Sequence, residues 1–472
     1  MMSERDVTRV HLIGICGTAM ATLAALLKHR GFDVRGSDEK VYPPMSDFLA
    51  AEGITILEGY RTEHIDDTVD LVIIGNAISR GNAELEAVLD RKLRHASLPE
   101  ALREHFLWKA RSVVIAGTHG KTTTASLAGW LLTHGGADPT VFIGGIARNF
   151  GASGSSYRIG DPAAPFVIEG DEYDSAYFDK TAKFLKYLPD IAVINNIEFD
   201  HADIYEDLDA VRLAFRRLVN LVPRKGLTLI GADSPDAVAL LPRIVSRVKT
   251  FGTGEGVDWR AADVAAHGQS MTFRLMERDV DRGTFTVPLS GLHNVRNALA
   301  ALAVGRECGV EFDVLREGLA AFQGVKRRLE VVGTRRDVVV YDDFAHHPTA
   351  VAETLAAVRA AQPGHRLWAV FEPRSASSCR RVFQDDFARA FARADEVVIA
   401  TVFRSTLPPE QRLSEDQLVS DLQKVGVSAR HLPNADSIVR AVATEARSGD
   451  LIVIMSNGGF DGIHGKLLEA LD

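Results

Sequence analysis

The chain has 472 residues, 46% of them hydrophobic, which is more apolar material than one core organises, so about two to four domains are expected and three is the count its patterns support. Its net charge is −9, with Lys and Arg scattered instead of gathered into a stripe, which excludes the electrostatic footprint of a nucleic-acid polymer binder. Cys16, Cys308 and Cys379 are too few and too far apart for a disulfide framework or a metal-ligand set; no uncharged apolar run reaches membrane-span length and residues 1 to 10 lack a signal-type apolar stretch, so a soluble enzyme of the reducing cytoplasm is expected.

In chain order, residues 1–108 alternate short β-branched runs with helical patterns: VHLIGI at 10–15, a helix through Leu23 and Lys28, FDVRGS, then DLVIIGNA. This predicts a doubly wound, Rossmann-like α/β domain. A second domain, 109–324, opens with SVVIAG at 112–117 and a helix carrying Leu127, Trp130 and Leu131 that stops at Gly135 and Gly136. FVIE at 166–169 and IAVINNI at 191–197 read as buried parallel strands, while 257–289 alternates polar and apolar residues and reads as a small antiparallel edge. A third α/β domain, 325–472, has strands in DVVVYDD, LWAVFEP, EVVIAT and DLIVIMSN.

The sharpest local signal is AGTHGKTTT, residues 116–124, between a strand and a helix. Its glycines let backbone N–H groups approach phosphate, Lys121 neutralises phosphate charge and Thr122 can ligate Mg²⁺, although the loop is shorter than the usual P-loop spacing. FVIEGDEYD then supplies an acid at a strand end: Glu169 is the expected metal ligand, with Asp171, Glu172 and Asp174 either sharing the task or forming solvated surface. NNIEFDH is expected to bring His201 to the same sheet edge, structural or serving a second metal. GICGTAM, with Gly14, Gly17 and Thr18, followed by Asp38, resembles an imperfect dinucleotide fingerprint and implies a pyrophosphate at a helix N-terminus. GLHNVRN sets Asn294 and Asn297 on one helix face, where amides cap the helix or read a purine edge, with capping suiting Asn294 better than Asn297. Arg327 and Arg328 in GVKRRLE, and Asp342 and Asp343 before His346 and His347 in YDDFAHHP, complete the set; no carboxylate or cysteine spacing supports metal at the paired histidines.

Taken in order, GICGTAM, GTHGKTTT, the strand-end Glu169, NNIEFDH, GLHNVRN, GVKRRLE and YDDFAHHP resemble the Mur ligase family from end to end. The resemblance implies three domains: a Rossmann-like UDP-substrate domain, a central P-loop ATPase domain and a Rossmann-like C-terminal domain for the acceptor. It implies ATP at Gly117, Thr118, His119, Gly120, Lys121, Thr122, Thr123, Asn294, Asn297, Arg328 and Asp343, and Mg²⁺ at Thr122, Glu169 and His201. Lys121, His201, Arg328 and Asp343 are the groups it implicates in the chemistry. Gly14, Gly17, Thr18, Ser37, Asp38 and Ser79 are implied for the UDP substrate.

Within the family, the histidine of GTHGKTTT, the DDFAHHP sequence and the absence of Lys from AVRLAFRRL resemble the branch that acts on UDP-N-acetylmuramate. The segments EGDEYDSAYFDKTAKFLKY and FEPRSASSCRRVFQ resemble ligases of peptidoglycan recycling, whose acceptor is the murein tripeptide L-alanyl-γ-D-glutamyl-meso-diaminopimelate. Free L-alanine is the alternative acceptor. A tripeptide with several carboxylates calls for fixed cations, and Arg374, with Asn457 and Gly458 in the glycine-rich SNGGFDG turn, is the expected acceptor site. Two other classes compete: an NAD-dependent oxidoreductase, suggested by the first turn and Asp38, and a non-catalytic nucleotide switch.

Overall fold

The computed structural model describes residues 7–43, 45–403 and 407–472; of the opening segment, residues 1–6 lie outside the described residues. The chain packs as two compact units, the first formed by residues up to 197 with 211–251 and 300–315, the second by 198–210, 252–299 and 316 onward.

The first unit holds two large sheets and a two-stranded hairpin. Its N-terminal sheet has five parallel strands in the order Thr55–Glu58, Asp33–Asp38, Arg9–Ile13, Leu71–Ile74, His95–Ser97. The expected strands are there; Thr55–Glu58 and His95–Ser97 are additions, short and only partly apolar. The chain winds outward from Arg9–Ile13 in one direction, then returns to lay Leu71–Ile74 on its other side, so the carboxyl ends of these two strands flank the crevice where open α/β sheets bind ligands.

The other sheet of this unit runs Arg247–Gly252, Leu227–Gly231, Ile191–Ile194, Ser112–Ala116, Phe166–Gly170, Thr140–Ala147, Ser155–Arg158, parallel except for its last pair. Every residue of Ser112–Ala116 is buried, because the strand is covered on both faces, and this explains its unbroken apolar run. Ala116 lies beside Ile194 on one side and Gly170 on the other, so the segments that follow these three strands leave the sheet at one edge.

In the second unit the alternating stretch forms the antiparallel meander Trp259–His267, Ser270–Glu277, Val280–Val287, burying Phe273, Leu275 and Phe285 on one face. The C-terminal sheet is ordered Glu330–Arg335, Val338–Asp343, Leu451–Met455, Leu367–Phe371, Glu396–Ala400, Ser428–Leu432. The four inner strands are the predicted ones. The two edge strands, one antiparallel and one parallel, escape the sequence pattern because they are half-exposed and interrupted by Gly333 or by Arg430 and His431. Among the described residues no helix is long and apolar enough to cross a membrane.

Candidate active site

Strand Ser112–Ala116 delivers the loop 117–120 directly onto the N-terminus of helix Lys121–His134. Gly117 has φ +138°, and a Cβ there would lie 2.9 Å from Asn195 Cβ; Gly120 has φ +80°. Neither position accommodates a side chain without strain. The neighbouring strand braces the loop: Thr118 N donates to Asn196 O at 3.0 Å, His119 N to Asn196 Oδ1 at 2.7 Å, and Asn195 Nδ2 to Thr124 Oγ1 at 3.0 Å. The strand ends at Ile194 and Asn195 and Asn196 follow it directly; His201, farther along NNIEFDH, has φ +53° and its N donates to Asp200 Oδ1 at 2.7 Å.

Helix Lys121–His134 has no side-chain cap and no acid in its first turn. Helix Ala83–Asp90 shows the contrast, with Asn82 accepting from the N–H groups of Glu84 and Leu85 and acids in its first turn. An uncancelled positive helix end and glycine-exposed N–H groups suit a polyphosphate. Lys121 Nζ lies 2.7 Å from Glu172 Oε2 and 3.3 Å from Thr118 O. Burial disfavours the ammonium, but Glu172, Asp171 and Glu169 outweigh it and hold Lys121 above the ordinary lysine range. Thr122 Oγ1 donates to Glu169 Oε1 at 2.9 Å, and Gly144 N donates to Glu169 Oε2 at 2.7 Å. A hydroxyl and a carboxylate oxygen side by side, with no sulfur or imidazole in the pair, are the donor chemistry of Mg²⁺. The remaining acids of FVIEGDEYD are paired side chains and not loose surface: Glu172 with Lys121, Asp171 with Lys183 at 2.6 Å, Asp174 with Lys180 at 2.6 Å.

At the N-terminal crevice, Gly14 has φ +82°, and its N and that of Ile15 donate to Ser37 O at 2.9 and 3.1 Å. Asp38 Oδ2 accepts from Cys16 N at 2.9 Å, so the acid expected near a nucleoside also clamps the glycine-rich turn. Gly17 and Thr18 are exposed at the start of helix Thr18–His29, which likewise has no side-chain cap and no acid in its first turn. Burial, with Asp38 adding to it, pushes the Cys16 thiol up to about 11, so it is not a thiolate at neutral pH. Ser79 is exposed. Ser37 departs from expectation: its side chain is fully buried and its hydroxyl donates to Glu84, with His11 Nε2 at 3.3 Å, because the strand turns it inward. Glu84 also meets His11 Nε2 at 3.2 Å and His64 Nδ1 at 2.7 Å, a buried polar network whose members read in sequence as unrelated strand and helix residues.

In the second unit, Asn294 and Asn297 sit within the first turns of helix Leu292–Glu307 and are nearly buried. Asn297 Nδ2 donates to Asn294 Oδ1 at 3.1 Å and Asn294 Nδ2 to Ser290 O at 2.8 Å. Asn294 therefore donates to a carbonyl and accepts from the Asn297 amide. Asp343 accepts from Leu329 N at 2.7 Å and Ala345 N at 2.8 Å, tying GVKRRLE to YDDFAHHP. Burial raises its pKa, opposed by Arg328, whose guanidinium lies 4.9 Å from the Phe344 ring centre. Arg327 Nη2 donates to Ser456 O at 2.6 Å and Gly458 O at 2.8 Å, holding the SNGGFDG turn. There Arg374 lies 3.8 Å from the Phe403 ring centre and 3.4 Å from Glu372, and a Cβ on Gly458 would fall 2.3 Å from Arg374 Cδ. Asn457 Oδ1 is buried without a hydrogen-bond partner among the described residues. The three expected acceptor residues thus follow the ends of two neighbouring parallel strands, Leu367–Phe371 and Leu451–Met455. His346 Nδ1 faces Phe344 O at 2.9 Å; His347 Nε2 faces Phe199 O at 3.0 Å, and its Nδ1 accepts from Thr349 N at 3.3 Å and lies 3.8 Å from Glu198.

Residues 9–107 match the Mur ligase family catalytic domain, 115–305 the Mur ligase middle domain, and 327–458 the Mur ligase glutamate ligase domain. The chain is 39% identical over 464 residues, 98% of its length and 99% of the relative's, to UDP-N-acetylmuramate–L-alanyl-γ-D-glutamyl-meso-2,6-diaminoheptandioate ligase of Haemophilus influenzae. The chain belongs to the Mur ligase family. Mur ligases are ATP-dependent and form carbon–nitrogen bonds, so this protein is neither an oxidoreductase nor a non-catalytic nucleotide switch. Its likenesses extend to the UDP-N-acetylmuramate–L-alanine ligase of Salinibacter ruber, 36% identical over 96% of this chain and 92% of that one. A solved structure of a murein peptide ligase from Psychrobacter arcticus matches with a TM-score of 0.73 at 36% identity, covering 98% of each chain.

Proposed function

We propose that this Mur ligase joins the lactoyl carboxylate of UDP-N-acetylmuramate to the α-amine of L-alanyl-γ-D-glutamyl-meso-diaminopimelate, in the cytoplasm, as a step of peptidoglycan recycling. The observation that carries the reading is the Lys121, Thr122 and Glu169 group at an uncapped helix start, in a chain alike over its whole length to a ligase named for this tripeptide. A carboxylate does not condense with an amine in water at a useful rate, so the acyl group must be activated. The carboxylate attacks the γ-phosphorus of ATP, giving an acyl phosphate and ADP; the amine then adds to the acyl carbon, phosphate leaves and the nitrogen loses a proton.

Lys121 supplies a fixed positive charge to the phosphoryl oxygens, and the loop N–H groups hold the chain of phosphates in line. Thr122 and Glu169 would hold Mg²⁺, which when bound neutralises charge on the β- and γ-phosphates. The Gly14 to Thr18 turn would take the pyrophosphate of the UDP substrate, with Asp38 keeping that turn in shape. By family resemblance Asn294, Asn297, Arg328 and Asp343 would serve the nucleotide, and Asp343 also holds the backbone next to Arg328 through Leu329 N. Arg374, flattened against Phe403 and given room by Gly458, offers a bidentate fork to a peptide carboxylate.

Free L-alanine as the acceptor is the second reading, favoured by the likeness to the Salinibacter ruber ligase. Purified protein incubated with UDP-N-acetylmuramate, ATP, Mg²⁺ and either acceptor, with ADP release and product mass followed, separates the two. Turnover with the tripeptide at least about tenfold faster than with L-alanine at equal concentration is expected, roughly the discrimination one well-made ionic contact supplies. Preference for L-alanine would overturn the tripeptide reading.

A further inference from the structure

The first unit contains a contact that the chemistry above does not use. At the switch crevice, the turn after Leu71–Ile74 runs through Gly75, Asn76 and Ile78. Gly75 N donates to Ile13 O at 3.0 Å, and Ile78 lies 3.4 Å from where a Gly14 Cβ would stand, so this turn and the glycine-rich turn are the two walls of one cleft. Asn76 is half-buried there. Its Nδ2 donates at 3.0 Å to Oδ1 of Asp174, a side chain that comes from the other sheet's neighbourhood and is only 4% exposed. Asp174 opens a small hairpin, strands Asp174–Ala176 and Asp179–Ala182, and its second oxygen takes the largely exposed Lys180 Nζ at 2.6 Å. The hairpin tip is seated on the N-terminal domain: Tyr177 packs against the cluster containing Ile13, Ile74 and Ile78, and Phe178 meets His95 edge to face at 5.6 Å.

We propose that Asp174 is a positioning residue of the UDP-substrate site, which fixes the Asn76 amide at the crevice in one orientation. An ionised carboxylate only accepts, so the amide must turn its NH₂ toward Asp174 and its oxygen the other way. Asn76 then presents an acceptor, suited to a hydroxyl or amide N–H of a UDP-linked amino sugar. Without Asp174 nothing holds the amide oxygen toward such a donor, and the hydrogen bond to it is lost. A buried carboxylate is a costly device for joining two domains, since apolar packing would serve as well; here it adds orientation at the ligand-binding edge. The inference rests on the reading that this crevice holds the UDP substrate.

The test is calorimetric titration of the full chain with UDP-N-acetylmuramate, and separately with ATP and Mg²⁺. Asp174→Asn and Asn76→Ala should each weaken UDP-N-acetylmuramate binding about tenfold, the worth of one charge-assisted hydrogen bond. ATP binding should change by less than about twofold, because Asp174 makes no contact with the P-loop residues. The double variant should lose no more than the weaker single, since both act through one amide. Lys180→Met, which spares the carboxylate, should bind within about threefold of wild type. Wild-type affinity in Asp174→Asn, additive losses in the double variant, or the full loss in Lys180→Met alone would overturn the inference. Should Asp174→Asn fail to fold, Asn76→Ala decides by itself, and wild-type affinity there overturns it. A wild-type chain that binds ATP but not UDP-N-acetylmuramate would instead bring down the proposed function, and this inference with it.

Discussion

Replacing Lys121 separates two roles that one side chain combines. Its ammonium is nearly buried, 2.7 Å from a Glu172 carboxylate that is itself almost inaccessible. Lys121→Ala removes a preorganised charge from the phosphoryl group, worth about 3–4 kcal/mol in the transition state, so kcat should fall roughly 10²–10³-fold. It also breaks the buried Lys121–Glu172 ion pair, which should cost about 3–5 kcal/mol of folding stability. Adding Glu172→Gln removes the other charge of that pair. The double variant should therefore recover most of the melting temperature lost by Lys121→Ala and none of the activity. ADP release under saturating substrates gives the first quantity and differential scanning fluorimetry the second. Activity recovered along with stability in the double variant would mean that Lys121 matters only as the partner of Glu172, and the phosphate-binding assignment would fail.

Glu169→Gln can keep its oxygen for Gly144 N and turn its NH₂ to the Thr122 hydroxyl, which then accepts, but it loses the charge, so the Mg²⁺ concentration for half-maximal activity should rise about tenfold or more while the melting temperature holds; an unchanged Mg²⁺ titration refutes the ligand assignment. Gly458→Ala places a methyl group 2.3 Å from Arg374 Cδ and must displace that side chain, so KM for the tripeptide should rise roughly tenfold with KM for ATP unaltered; equal effects on both would detach Arg374 from the acceptor. Asp450 is buried and accepts from Arg366 Nε at 3.0 Å, Trp368 Nε1 at 3.0 Å and Arg447 N at 2.9 Å, and although burial opposes it, these donors, Arg366 first, hold its carboxyl below the usual range. A depressed folded-state pKa stabilises above the unfolded value, near 4, and that contribution fades as pH falls through the folded one. Asp450→Asn should cost about 3 kcal/mol at pH 7 by urea denaturation, and the gap from wild type should narrow below about pH 4; a gap that stays constant to pH 3 contradicts the ionic account.

What the sequence disclosed and what it concealed divide along a physical line. Inner strands such as Ser112–Ala116 and Leu451–Met455 are buried on both faces and must be apolar throughout, so their pattern is local and readable. The phosphate loop is readable for a related reason: positive φ at Gly117 and Gly120 and a charge at Lys121 are demanded by positions consecutive in the chain. Edge strands Glu330–Arg335 and Ser428–Leu432 carry no such demand, since half of each strand faces water. Bracing residues are hidden more deeply, because their partners are far away in sequence. Asn195 and Asn196 brace a loop more than seventy residues before them; Ser37, next to Asp38 in sequence, is turned by strand alternation toward Glu84 and His11.

A polar side chain at or just past the end of an otherwise apolar buried strand must be satisfied by something. Asn195–Asn196 after Ile191–Ile194, Asn76 after Leu71–Ile74 and Asp342–Asp343 closing Val338–Asp343 all stand at such places, and all three are spent holding a neighbouring loop. The rule names the position and not the partner. It picks out Asn195 and Asn196 as the first polar residues past Ile194, ahead of His201 seven residues beyond that strand's last residue.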